Sequence, residues 1–227
     1  MIIPKNVVLN YNPNSTKEQR KNMMEEKIEK NLEPLFFVIS GHSGAGKDSV
    51  IAALKQRNIP FHFVVTTTAR KPRPQENEGV DYYFVSPETF KQMIEDDMLI
   101  EHAVVYGEYK GVSRAEVRNA LASGKDVILR VDVQGAATIR RKCPQAVLIF
   151  LTAGDEEEII ERLKDRHTET EAKLKTRIET MLQEKEFIPQ FDYLVINRNG
   201  LLEKAVDDII SIINAEHHRV YQRKVTL

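Results

Sequence analysis

Gly41, Gly44, Gly46 and Lys47 fall within the run LFFVISGHSGAGKDSV, residues 35–50, and their spacing suits a grip on a phosphate chain. Glycines let the backbone curl until its N–H groups converge on phosphate oxygens. A helix that starts where the loop ends adds partial positive charge. Lys47 adds a mobile full charge for the outer phosphates. The order strand, loop, helix fits the P-loop pattern G-x-x-x-x-G-K-[ST] with one departure. Asp48 stands where a hydroxyl normally touches Mg²⁺. A carboxylate is a good hard ligand for that ion, and Ser49 offers a substitute hydroxyl. The candidate phosphate-binding residues are therefore Gly41, His42, Ser43, Gly44, Ala45, Gly46, Lys47, Asp48 and Ser49, with Asp48 and Ser49 also the candidate Mg²⁺ ligands.

A second anion site is readable downstream. Arg70 and Arg73 flank Lys71 and Pro72, and two planar guanidiniums at this spacing can converge on one small anion. Tyr82 can add its hydroxyl. Glu101 and Asp132 are candidates for reading a base, because a carboxylate accepts two parallel hydrogen bonds from N1–H and N2–H₂ of guanine. Adenine has no N–H at that edge, so it would leave the carboxylates unpaired. Asp132 has an alternative as a Mg²⁺-associated acid at a strand end. Arg162 and Arg166 are four apart, hence on one helical face, and Arg177 lies on the same charged stretch. They either neutralise a transferring phosphoryl group in cis or pair at the surface with Glu158, Glu161 or Glu169.

These side chains need a frame. Strands are predicted at 35–40, 61–66, 127–132, 146–151 and 193–197, mostly as continuous apolar runs of the kind covered on both faces. Helices are predicted at 46–57, 133–142, 155–185 with breaks, and 201–222. The last carries Leu202, Ala205, Val206, Ile209, Ile210 and Ile213 on one stripe. Asp155 and Glu158 have the spacing of a capping box. The alternation predicts an α/β fold, with a P-loop core whose parallel sheet is flanked by helices. Residues 66–116 interrupt it and read as an inserted lobe. Residues 153–187 are charged and helical, as a lid would be. The core is then 34–65, 117–152 and 188–227. Residues 1–33, with KEQRKNMMEEKIEK, form either a solvated helix with Glu–Lys pairs or a mobile extension.

Composition narrows the options. The 227 residues carry a net charge of −1, so no global field recruits nucleic acid or an anionic membrane, and any polyanion site must be local. Cys143 is the one cysteine, which excludes an intrachain disulfide and fits a reducing compartment such as the cytoplasm. No apolar run approaches ~18 residues, and the N-terminus lacks a secretory or transit pattern. The six histidines form no metal pattern, and His217 and His218 are expected on the polar side of the last helix. The chain is expected to act as a monomer or homodimer.

In order along the chain, SGHSGAGK, TTTARKPR, EGVDYYFVS, LIEHAVVYGEYKG, VDVQGA, RLKDRHTET and FDYLVIN resemble the guanylate kinases, from about Phe36 to about Glu216. The resemblance implies phosphorylation of GMP, and of dGMP, by ATP with Mg²⁺. Carried over, the GMP-phosphate ligands fall on Arg70, Arg73 and Tyr82, and the guanine-reading carboxylates on Glu101 and Asp132, with Thr66 a nearby hydroxyl. The triphosphate ligands fall on Gly44, Gly46, Lys47, Arg162 and Arg166. Arg177 matches a third phosphate-contacting arginine, and Asn197 falls near the adenine. Two departures stand out. Tyr109-Lys110-Gly111-Val112 replaces Tyr-Tyr-Gly-[ST]. Lys110 can hold the acceptor phosphate by charge, but Val112 cannot donate to guanine O6, leaving Ser113 or Thr66 to compensate. Arg130 replaces an acid near Mg²⁺, and Asp48 is expected to restore the lost charge. This exchange resembles the organellar plant-type branch. Two other readings remain: a ribose 1,5-bisphosphate kinase, which also carries Gly-Lys-Asp-Ser, and a non-catalytic guanylate-kinase-like module that binds phosphopeptides.

Overall fold

The computed structural model describes residues 16–18, 33–57, 59–74, 76–105, 107–164 and 171–227. Most of the charged extension and Arg166 lie outside them, as do the side chains of 171–174 and 177. The chain divides between Leu32 and Glu33. In order, the second unit runs β1 (Phe36–Ser40), α1 (Lys47–Gln56), β2 (Phe61–Phe63), β3 (Thr67–Thr68), β4 (Tyr83–Phe84), α2 (Pro87–Glu95), β5 (Leu99–Val105), β6 (Glu108–Ser113) and α3 (Arg114–Ala122). It continues with β7 (Asp126–Arg130), α4 (Val133–Lys142), β8 (Val147–Thr152), α5 (Glu156–Lys164), α6 (Glu171–Lys185), β9 (Tyr193–Ile196) and α7 (Leu202–His217).

One sheet has the order β2-β7-β1-β8-β9, and every pairing in it is parallel. The alternation of side chains along β1 explains the layering. Leu35, Phe37 and Ile39 join Ala53 and Leu54 of α1 and Val206, Ile209 and Ile213 of α7 in one cluster. Phe36 and Val38 turn the other way, to Val117 and Ala120 of α3 and Ile139 of α4. Both faces are dry, and each large apolar side chain so buried contributes roughly 2 kcal/mol. The second sheet, β4-β3-β6-β5, is mixed: β3 and β4 run parallel, β6 antiparallel to both β3 and β5.

Boundaries shift where hydrogen bonds are spent elsewhere. The predicted strand at 61–66 ends at Phe63, and Val64 N–H donates once more to Ile128 before the chain leaves for the second sheet. The strand at 127–132 ends at Arg130 because Asp132 is the N-cap of α4, its carboxylate accepting from Gly135 N–H at 2.7 Å. The last helix stops at His217 rather than 222, and the tail beyond it returns Val225 and Leu227 to the core. His217 is not exposed as expected: its Nε2 meets Asp126 Oδ2 at 2.6 Å. Asp155 caps α5 by accepting from Glu158 N–H, but Glu158 reaches back to Gly154 N–H, one residue beyond the expected box.

Candidate active site

β1 ends in the glycine loop at the carboxyl edge of the parallel sheet, with β7 on one side and β8 on the other. Ligands of open α/β sheets gather at this edge. Two glycines are required by position. A Cβ on Gly41 would lie 2.0 Å from Leu151 O, and Gly46, with φ +83°, would put one 2.4 Å from Asn197 Nδ2. That amide donates to Ala45 O at 3.0 Å. Asn197 is buried and braces the loop. Lys47 Nζ donates to Gly41 O at 2.5 Å and His42 O at 3.0 Å. His42 turns its ring away from the loop mouth, to Thr152 Oγ1 at 2.9 Å and Ser43 O at 2.7 Å. Burial lowers its pKa to about 4, so the ring is neutral and its part in the loop is its carbonyl.

Arg162 is not a free finger. Its guanidinium donates to Asn197 O at 2.7 Å, Asn199 Oδ1 at 2.9 Å, Glu158 Oε1 at 2.5 Å and Gly44 O at 3.4 Å. It pairs with Glu158, as one of its two readings expected, and also reaches the Gly44 carbonyl in the loop. Beside this guanidinium lies a cavity of about 370 Å³ lined by Gly44, Gly46, Ser49, Arg198, Asn199 and Gly200.

Asp48 and Ser49 are exposed in the first turn of α1. The expected gain of a carboxylate beside the metal takes another form, because Arg130 NH1 donates to Asp48 Oδ1. The acid at the start of the helix and the arginine at the strand end are thus held by each other. Among the described residues no three His, Cys, Asp or Glu groups could hold a metal together. One carboxylate and a hydroxyl beside phosphate oxygens nevertheless fit Mg²⁺, which keeps several waters and leans on substrate phosphates.

On the second sheet, Arg70 is held by Glu76 Oε2 and Oε1 at 2.6 and 2.5 Å, which pulls the Glu76 pKa down to about 2. Arg73 is exposed, and its N–H also donates to Glu76. Tyr82 lies between two cations, Arg70 at 4.9 Å and Lys110 at 5.6 Å from its ring centroid. Tyr109 stacks on Phe90 at 5.3 Å. Thr66 is half-buried, and its carbonyl accepts from Tyr83 N–H. Val112 does not face the base at all; it is buried between Ile100 and Val117, and Ser113 Oγ caps α3.

Glu101, on β5, is only 8% exposed. Burial first, and the charge of Asp132 second, raise its pKa to about 7. Gly135 makes the approach feasible, since a Cβ there would lie 3.2 Å from Glu101 Oε1. Sequence reasoning missed Gly135, although VDVQGA carries it. It also missed Glu184, whose Oε2 accepts from Ser43 N–H at 2.9 Å and whose pKa is sensitive to both Lys47 and Asp132. Nothing in the run MLQEKE distinguishes Glu184 from its neighbours. Through it, the phosphate loop and Asp132 share one electrostatic neighbourhood.

Comparison with known proteins identifies the family. The family model described as guanylate kinase matches residues 34–216. Guanylate kinase 2, chloroplastic/mitochondrial, of Oryza sativa is 47% identical over 196 residues, 86% of this chain and 69% of the relative. The guanylate kinase of Clostridium perfringens is 39% identical over 204 residues, 90% of this chain and 94% of the relative. The crystal structure of guanylate kinase from Anaplasma phagocytophilum superposes with a TM-score of 0.66 at 27% identity, covering 84% of this chain and 89% of that one. The loop, the paired carboxylates and these matches together make the chain a member of the guanylate kinase family.

Proposed function

We propose that this site transfers the γ-phosphoryl group of ATP to a phosphate oxygen of GMP, yielding ADP and GDP, with dGMP as a second acceptor. The observation that carries this reading is Glu101: a buried carboxylate beside Asp132, poised to accept from a guanine edge. Little covalent chemistry is asked of the protein, whose work is positioning and charge neutralisation. The loop N–H groups and Lys47 hold the donor. The cavity beside Gly46 and Asn199 suits the adenine, with Asn197 fixing its floor. Arg70, Arg73, Tyr82 and Lys110 hold the acceptor phosphate, with Thr66 and Tyr109 lining its lobe. Arg162, Arg166 and Arg177 come from the lid segment, whose closure excludes water. Bound Mg²⁺, held by Asp48 and Ser49, would spread charge over the β- and γ-oxygens.

The sheet carrying Arg70 and Glu101 is read as the GMP-binding lobe, 66–116, and 153–187 as the lid. The single cysteine, Cys143, supports a reducing compartment such as the cytoplasm. Among the described residues no helix is long and apolar enough to cross a membrane. ADP release measured across all nucleoside monophosphates, and with ribose 1,5-bisphosphate, tests the reading. GMP should stand alone with dGMP, and Lys47→Met should abolish the signal. Equal rates with AMP, or with the sugar, would overturn it.

A further inference from the structure

Ser43 is the third residue of the phosphate loop, and its N–H is already occupied. The acceptor is Glu184 Oε2, 2.9 Å away, from the last turn of α6. The other side of the same peptide is occupied too, because His42 O accepts from Lys47 Nζ. One peptide unit of the loop therefore carries an ammonium on its carbonyl and a carboxylate on its N–H. Lysines of such loops reach the outer phosphates. The Glu184 carboxylate thus stands at the end of the loop where the last phosphate of a bound nucleotide has to sit.

Its surroundings suit a replaceable anion. Ser43 N–H and Lys47 favour its charge, whereas burial and Asp132 oppose it, and burial outweighs the rest. The base of the helix is anchored independently. Met181 is buried against Ala153 and Ile159, and Lys185 Nζ donates to Glu156 Oε1 at 3.1 Å. Displacing Glu184 costs its bond to the loop without unseating α6.

We propose that Glu184 determines donor length, its carboxylate occupying the terminal-phosphate position on Ser43 until a triphosphate expels it. A diphosphate ends short of Ser43 and leaves Glu184 in place. A triphosphate brings a like charge to the same N–H and drives it off, so the γ-phosphate is registered on the helix that also bears Arg177. The inference rests on the P-loop reading above and adds to it the means of telling ATP from ADP.

Calorimetric titration of the full chain with MgATP and with MgADP, in the absence of GMP, tests it. Glu184→Gln keeps the shape and an acceptor for Ser43 but removes the charge. Removing a like-charge clash should tighten ATP roughly tenfold while ADP moves less than about twofold. Glu184→Ala should shift the ratio the same way, with thermal unfolding confirming that each variant is folded. ADP and ATP affinities that move together, or an unchanged ratio, would overturn the inference while leaving the P-loop reading intact. Failure of the wild-type chain to bind either nucleotide would instead remove the P-loop reading on which it rests.

Discussion

Glu101 and Glu216 are both buried glutamates, and the protein treats them in opposite ways. Glu216, at the end of α7, is 1% exposed. It accepts from Tyr193 Oη at 2.6 Å and from Arg223 Nε at 2.9 Å, with Arg219 at 3.3 Å. Burial opposes its charge, but these donors outweigh burial and its pKa is lowered. Arg223 pairs in turn with Asp192, which also holds Arg140. Among the described residues no side chain or N–H donates to the carboxylate of Glu101, and its pKa rises to about 7. One carboxylate is satisfied by the fold and ties its C-terminal tail to the sheet edge. The other is left without a donor among the described residues, at a cost to the folded chain. That contrast separates scaffold from site without reference to any relative.

Breaking the scaffold carboxylate should have the largest effect. Glu216→Ala leaves the half-buried Tyr193 hydroxyl without its acceptor and Arg223 with Asp192 alone, and should cost about 3 kcal/mol of stability. Denaturant melts would read this as a lower midpoint, with the KM for GMP unchanged below the transition. A KM shift comparable to the stability loss would dissolve the distinction between the two glutamates.

Glu101→Gln should do the reverse. An amide cannot accept both guanine N–H bonds, so the preference for GMP over AMP should fall roughly a hundredfold. Stability should hold or rise, because a desolvated carboxylate has been removed. Turnover with both monophosphates in one assay series measures the ratio. An undiminished ratio would show that the base is read elsewhere.

The two groups also set opposite pH slopes. The folded pKa of Glu101 lies above its unfolded value of 4.5, so the unfolded chain binds fewer protons between them. That contribution to stability is greatest below the unfolded pKa and is lost as pH rises through about 7. Binding runs the other way, since guanine needs the carboxylate: the KM for GMP should rise as pH falls below about 7, and flatten in Glu101→Gln. Glu216 has a depressed folded pKa, so its contribution is present above the unfolded pKa and disappears in acid. Melts of the two variants across pH 4–8 should show slopes of opposite sign relative to wild type.

The same division explains what could be read from the chain alone. The scaffold was legible where a pattern is local and repetitive: the apolar runs of β1 and β8, the stripe on α7, the glycines before Lys47. Pairings between distant residues leave no such mark. Tyr193 with Glu216, Arg223 with Asp192 and His217 with Asp126 are set by how the tail folds back, so His217 read as an exposed polar residue. In the site, residue types were legible while their orientation was not. By resemblance Val112 fell at a base-contacting position, yet the pleat of β6 turns it into the core. Asn197 and Arg162 line the cavity beside Gly46, but their bonds to the loop carbonyls of Ala45 and Gly44 left no mark in the sequence. Gly135 mattered only once Glu101 was known to lie against it.

The smallest effect is expected where both partners are exposed. The side chains of Asp48 and Arg130 are 75% and 43% exposed, and such a pair contributes at most about 1 kcal/mol to stability. Asp48→Asn, Arg130→Met and the double variant should therefore melt within a few degrees of wild type. Their effect should appear in the Mg²⁺ titration of ATP binding. Arg130 competes with the ion for one carboxylate, so Arg130→Met should lower the Mg²⁺ concentration needed and Asp48→Asn should raise it. In the double variant the arginine has nothing left to compete for, so it should match Asp48→Asn alone. Additive shifts in that cycle would mean that the two residues act independently and that the exchange of acid and arginine is coincidental.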